Sequence, residues 1–140
     1  MNDIVISIVS WSHNRAELLA VRRAVFIEEQ KVPESIEIDG EDPDCYHVLA
    51  CDEGGSPIGT ARMDRTGKIG RMAVLAEYRG MGVGTKMLRA IIDRGKSKGI
   101  TDFHLSAQIS AIGFYSKMGF EAYGEEFQEA GITHINMRKT

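Results

Sequence analysis

The apolar positions along this chain fall into short alternating runs separated by two longer stretches with helical spacing. Residues 4 to 9, Ile-Val-Ile-Ser-Ile-Val, are mostly β-branched and predict a first strand. Leu18, Val21 and Val25 come next at helical spacing, with Leu19 and Phe26 beside them. Asn14 offers an N-cap with Glu17 three residues on, so a helix is predicted from there to about Glu29, and Pro33 stops any continuation. Residues 31 to 44 show no period and read as a loop, punctuated by Gly40 and Pro43. Loops of that length inside a compact domain usually carry function or move.

Tyr46 to Cys51 and Ile58 to Met63 predict two strands around the turn Asp52-Glu-Gly-Gly-Ser56, and Thr66-Gly67 turns into a further strand over 68 to 74. From about Gly82 to Lys98, Leu88, Ile91 and Ile92 form a helical stripe that shares its face with Gly84 and Gly95; Gly99 can cap the end. Phe103, Leu105 and Ala107 alternate as a strand, and Ser110 to Met118 is a short helix ended by Gly119. Phe120 to Tyr123 and Ile132 to Met137 close the chain as strands, joined by a polar loop with three glutamates. The order β-α-loop-βββ-α-β-α-ββ predicts an α/β fold on a mixed sheet.

At 140 residues the chain is expected to form one domain, residues 1 to 140. No apolar run approaches the roughly 18 residues of a membrane span. Ile4 to Trp11 lacks the basic flank and cleavage site of a signal peptide. With only Cys45 and Cys51, a disulfide framework is not expected and a reducing cytoplasm is the simpler setting. The net charge of −3 argues against nucleic-acid binding. Its distribution says more: Glu28 to Asp44 holds eight acids and one base, a local −7, so the remainder carries +4. An acidic arm sits on a mildly basic body.

Candidate chemistry centres on the strand over 68 to 74 and the glycines beyond it. Arg79-Gly-Met-Gly-Val-Gly84 puts three glycines at alternate positions just before a helix. Glycines admit positive φ and close ligand approach, and the first-turn amides of a helix lack partners, so the stretch can cradle phosphate. It is neither a P-loop, since Lys86 comes after Thr85 and precedes Met87, nor a dinucleotide fingerprint, since the third glycine comes one residue early. What fits is R-x-x-G-x-G, from Arg79 through Gly82 to Gly84. This resembles the pyrophosphate-binding loop of the GNAT superfamily of N-acetyltransferases. Gln108-Ile-Ser-Ala-Ile-Gly-Phe-Tyr-Ser-Lys-Met-Gly-Phe120 resembles the second signature of that family, matching at Ala111, Phe114, Tyr115, Gly119 and Phe120, with glutamine where asparagine is common. The run Phe26-x-x-Glu29-Gln30-x-x-Pro33-x-x-x-Glu37-x-Asp39 resembles small ElaA-like members.

The resemblance implies a GNAT-like acyl-CoA N-acyltransferase fold, a central mixed β-sheet flanked by helices, and an enzyme moving acetyl from acetyl-CoA, without a metal, to a primary amine by direct attack in a ternary complex. It implies that Arg79 and the main chain of Gly80, Met81, Gly82, Val83, Gly84 and Thr85 hold the pyrophosphate. Met72, Ala73 and Val74 would pair with the pantetheine arm and stabilise the oxyanion, with Gln108, Phe114 and Lys117 also on the cofactor side. Phe114 reads first as core. Tyr115 occupies the general-acid position for the departing thiolate.

Many members carry a glutamate base on or beside the central strand, but Gly70 and Arg71 stand there. Glu29, Glu37, Asp39, His47 and His104 are the substitutes as base; Glu29, Glu37, Asp39, His47 and Arg71 are expected at the acceptor side. The acidic arm would attract a cationic amine. Small amines and peptides are both open as acceptors, no nucleic acid or membrane partner is expected, and a homodimer is compatible with the family. Scattered histidines and Cys45-x-His47 lack paired metal-ligand spacing, and neither cysteine has a defined partner for nucleophilic work. A CoA-binding module that presents its acidic arm to a protein, without turnover, is the rival reading.

Overall fold

Val83, Met87, Leu88, Ile91 and Ile92 lie along one face of a helix, α3 (Val83–Ser97), and the largest apolar cluster forms around them. Met87, Leu88 and Ile91 are 0% exposed, and burying a side chain of this size contributes about 1.5–3 kcal/mol. The computed structural model describes residues 3–140. The strands are β1 (Val5–Val9), β2 (Tyr46–Cys51), β3 (Pro57–Met63), β4 (Lys68–Val74), β5 (Phe103–Gln108), β6 (Glu121–Glu129) and β7 (Ile132–Lys139). They form one sheet in the order β1-β2-β3-β4-β5-β7-β6, in which β4 and β5 alone run parallel. The fold is thus α/β on a mixed sheet. Helix α3 is the crossover that joins the parallel pair, as parallel pairing requires. No helix among the described residues is long and apolar enough to cross a membrane.

The other face of the sheet is covered by α1 (Trp11–Arg22), which packs on β3, β4 and β2 and continues as a π-helical segment over Arg23–Glu29. The helix begins earlier than Asn14. Ser10 is the N-cap and accepts from His13 N, while Asn14 (φ −120°) sits at a kink and spends its side chain on Glu17. Residues 31 to 44 are not one loop: α2 (Glu34–Glu37) and a 3-10 turn over Asp42–Asp44 punctuate them. The expected polar loop before β7 is strand instead. β6 is the sheet edge and is exposed on both faces except at Phe127, so burial imposes no alternation for the sequence to display.

β4 carries the irregularity that matters most. Its register against β3 slips by one between Met63↔Ile69 or Arg62↔Gly70 and Thr60↔Ala73, and Arg71 adopts φ +52° at the slip. This is a β-bulge with arginine where glycine is usual. The extra residue reverses the alternation: Ile69 packs with α3, whereas Ala73 packs with Val21 and Val25 on the α1 side. Pairing with β5 covers only Lys68↔His104 and Ile69↔Leu105, and beyond that the two strands part.

The start of that pairing hangs on Gly67. Its φ is +99°, its carbonyl accepts from His104 N at 3.1 Å, and an added Cβ would lie 2.3 Å from the Asp102 carbonyl oxygen. Gly67→Ala combines left-handed strain with a clash against rigid backbone, and is expected to cost about 2–3 kcal/mol. Urea unfolding of the variant checks this; an unchanged midpoint would mean the turn adapts freely.

Candidate active site

The connection from β4 to α3 passes through a 3-10 turn (Ala76–Tyr78) into the glycine stretch. Gly80 and Gly82 take φ +78° and +82°, and a Cβ added at either would meet nothing within 4 Å. The demand for glycine there is conformational, and the outer side of the turn is open to approach. Gly82 is the N-cap of α3, and no side chain caps that end. Lys86 N donates back to Gly82 O at 3.1 Å, so the amides of Val83, Gly84 and Thr85 precede the first intrahelical bond. With the helix dipole behind them, these donors suit a diphosphate. Arg79 stands beside the turn but is engaged: its Nη1 and Nη2 donate to Glu29 at 2.7 and 2.6 Å, and its Nε donates to Val74 O. Glu29 therefore lies at this end of the site, not at the acceptor side.

Where β4 and β5 part, β5 offers no ladder partner to Met72, Ala73 and Val74. α4 (Ile112–Lys117) brings Tyr115 to this gap, where its phenol donates to Met72 Sδ at 3.7 Å. The ring is held edge-on between Phe114 and Phe120, with centroids 5.0 and 5.9 Å away. Burial pushes the phenol up to about 12. Phe114 packs onto the first turn of α3, where Gly84 leaves room for it, and Lys117 is exposed at the end of α4. Gln108 Nε2 donates to Gln30 Oε1 at 2.9 Å, so the end of the π-helical segment meets the end of β5 across the gap.

The acidic arm is fastened by arginines. Arg22, on the last turn of α1, is 1% exposed; its Nε donates to Glu37, its Nη1 and Nη2 to Asp42 at 2.7 and 3.2 Å, and Nη2 also to Glu37 O. Arg62 of β3 donates to Asp42 and Asp39. Arg71, at the bulge, donates to the Ile36 and Glu37 carbonyls and to Asp39. Partial burial opposes ionisation of Asp39 and Asp42, yet the paired guanidiniums more than offset it and hold both carboxyls below the usual range. Glu37 and Asp39 thus serve the arm's attachment, and substituting them tests folding more than amine attraction.

Between arm and sheet lies a cavity of about 430 Å³. Its walls include Glu37, Asp39, Arg71, Met72, Gln108 and Tyr115 among the residues expected from the sequence. His47 is not brought there. It is buried, stacked 5.4 Å from Trp11, and its Nε2 donates to Asp42 O; burial lowers its pKa, so the ring is neutral. His104 lies beside the Lys68 pairing and outside the cavity wall. Cys45 does line the wall, but burial pushes its thiol up to about 11, which leaves no thiolate at neutral pH. The sequence reading missed Ser106, Glu129 and His134, which line the far wall. Ser106 shares the β5 face of Gln108, whereas Glu129 and His134 arrive only because β7 inserts between β5 and β6, an order that no local pattern signals.

A family profile described as acetyltransferase (GNAT) domain matches residues 12–140. The chain is 38% identical over 123 residues to YjcF of Bacillus subtilis, described as an uncharacterised N-acetyltransferase, covering 85% of this chain and 87% of that one. Escherichia coli ElaA superimposes with TM-score 0.86 at 27% identity, over 99% of this chain and 100% of the other. An acyl-CoA N-acyltransferase from Pseudomonas aeruginosa superimposes with TM-score 0.84 at 28% identity, over 100% of both chains.

Proposed function

Because the chain belongs to the GNAT acetyltransferase family, we propose that it moves an acetyl group from acetyl-CoA to a primary amine, by direct attack while both are bound. The observation that carries this reading is the parting of β4 and β5, with an open glycine turn at one end and the Tyr115 phenol inside it. The turn fits a diphosphate, and the unpaired edge of Met72 to Val74 fits the amides of an extended arm. Bound acetyl-CoA supplies an activated acyl carbon and a thiolate leaving group.

The amides of Met81 to Thr85 hold the diphosphate. Arg79 exchanges Glu29 for a phosphate oxygen, and Gln108 exchanges Gln30 for an amide of the arm. A main-chain N–H of Met72 to Val74 polarises the thioester carbonyl. Tyr115, with its phenol near 12, stays protonated at physiological pH and donates to the sulfur. A free thiol has pKa ~8.5, so full transfer to it is uphill unless a proton from the amine replaces the phenol's own. Arg71 stands where other members place a base, and it spends its donors on the arm, forming the acceptor wall. Five acids against three bases line the cavity, which favours a cationic acceptor.

Calorimetry with CoA and acetyl-CoA is the first test, then free-thiol release with an amine panel. Gly82→Glu adds left-handed strain and a carboxylate facing the diphosphate, and is expected to weaken acetyl-CoA binding about 100-fold while the protein stays folded. No heat with the unaltered protein would sink the reading. Binding without thiol release would favour the regulatory module.

A further inference from the structure

The acceptor nitrogen arrives protonated and has no lone pair until a base removes a proton, yet β4 offers none. Glu37 and Asp39 are bound to arginines, and His47 and His104 lie off the cavity wall. One imidazole does line it. His134 pairs with Gln108 in the β5–β7 register, and directly paired residues share a sheet face. It therefore shares a sheet face with Gln108 and Ser106, and all three line the cavity that Tyr115 lines from α4.

The ring's orientation is set from several sides. His134 is 7% exposed and stacks on Phe127 of β6 at 5.9 Å and 23°. Its Nδ1 lies 2.7 Å from the Ile132 carbonyl oxygen. A carbonyl only accepts, so Nδ1 carries the hydrogen and, in the neutral ring, Nε2 carries the lone pair. Glu129 Oε2 lies 3.6 Å from Nε2. Ser106 and Gln108 of β5 are uncharged, Asn136 continues the same face of β7, and Arg138 leans over Tyr123. Lys68, Arg71, Glu37 and Asp39 face the cavity from β4 and the arm, and Tyr115 faces it from α4.

We propose that His134 Nε2 is the general base that deprotonates the acceptor ammonium, with Glu129 as the positioning residue that holds and balances the resulting imidazolium. This rests on the acetyl transfer proposed above. The ammonium gives one proton to Nε2, and the freed nitrogen forms the C–N bond as the C–S bond breaks. The second nitrogen proton leaves through the Tyr115 phenol to the sulfur. His134 then returns its proton to solvent, so each turnover yields an amide, a thiol and one released proton.

His134→Gln and the unaltered protein are compared by kcat/KM against pH, with acetyl-CoA affinity read by calorimetry. The expected loss is about 100-fold at pH 7, shrinking as pH rises toward the amine's own pKa, because the acceptor then loses its proton unaided. Acetyl-CoA affinity stays unchanged. Long-range nitrogen–proton NMR of the unaltered, labelled protein is expected to show the neutral His134 ring protonated on Nδ1. Parallel pH profiles, a loss under about threefold, or a ring protonated on Nε2 would overturn the assignment while leaving acetyl transfer intact. An unaltered protein that binds no acetyl-CoA would remove acetyl transfer and this role together.

Discussion

Arg22→Met is expected to lower the unfolding free energy by about 3–5 kcal/mol, the range for removing one partner of a buried ion pair. Methionine fills much of the volume and keeps contact with Trp11, over whose ring the guanidinium now lies at 5.6 Å. What it cannot replace is the set of donors to Glu37 and Asp42, two carboxylates buried to 2% exposure each. Arg62 still reaches Asp42, but the Glu37 carboxylate is left with only Arg71 Nε, 3.8 Å away. Urea unfolding at neutral pH measures the loss; a cost under about 1 kcal/mol would mean that water reaches the carboxylates and the arm relaxes.

The same network sets an acid limit. Asp39 and Asp42 have folded-state pKa values below their unfolded ones, so their contribution is fully present above the unfolded value of ~3.9 and declines as pH falls below it. The unaltered protein should therefore lose stability below about pH 4, and Arg22→Met should flatten that slope.

Tyr115→Phe is expected to reduce kcat about 10²–10³-fold with little change in acetyl-CoA affinity. Phenylalanine keeps the edge-on packing against Phe114 and Phe120 and removes only the donor aimed at the gap. The direction of the pKa shift adds a second reading. The protonated phenol is the working form and its pKa is raised to about 12, so Tyr115 imposes no falling limb on the pH profile below about pH 11. Steady-state rates with one amine, paired with calorimetry, check both points. A kcat within threefold of the unaltered protein would take Tyr115 out of the chemistry.

Much of the architecture was legible because burial leaves a period. α3 shows its stripe, and β5 alternates Phe103, Leu105 and Ala107 against polar neighbours, of which Ser106 and Gln108 line the cavity. The glycine stretch was legible because positive φ restricts residue choice so strongly. What escaped depends on distant partners. The charge excess of residues 28 to 44 was visible, but not that Arg22, Arg62 and Arg71 would come from three separate elements to meet it. Arg22 reads as an ordinary polar helix position until the arm folds over it. Glu29 reads as part of the acidic cluster, yet the π-helical turn carries it to Arg79. His134 has no local signal, because its place on the cavity wall is decided by which strand β7 pairs with.

The bulge at Arg71 has a consequence for what the chain tolerates. Upstream of it Ile69 points to α3, and downstream Ala73 points to α1 while Met72 and Val74 keep to the α3 side, because one additional residue shifts the alternation between Ile69 and Ala73. A deletion of one residue here would send the methyl of Ala73 toward the wrong helix and undo the seat of Val21 and Val25. At this point in the chain, packing depends on the number of residues more than on which residues they are.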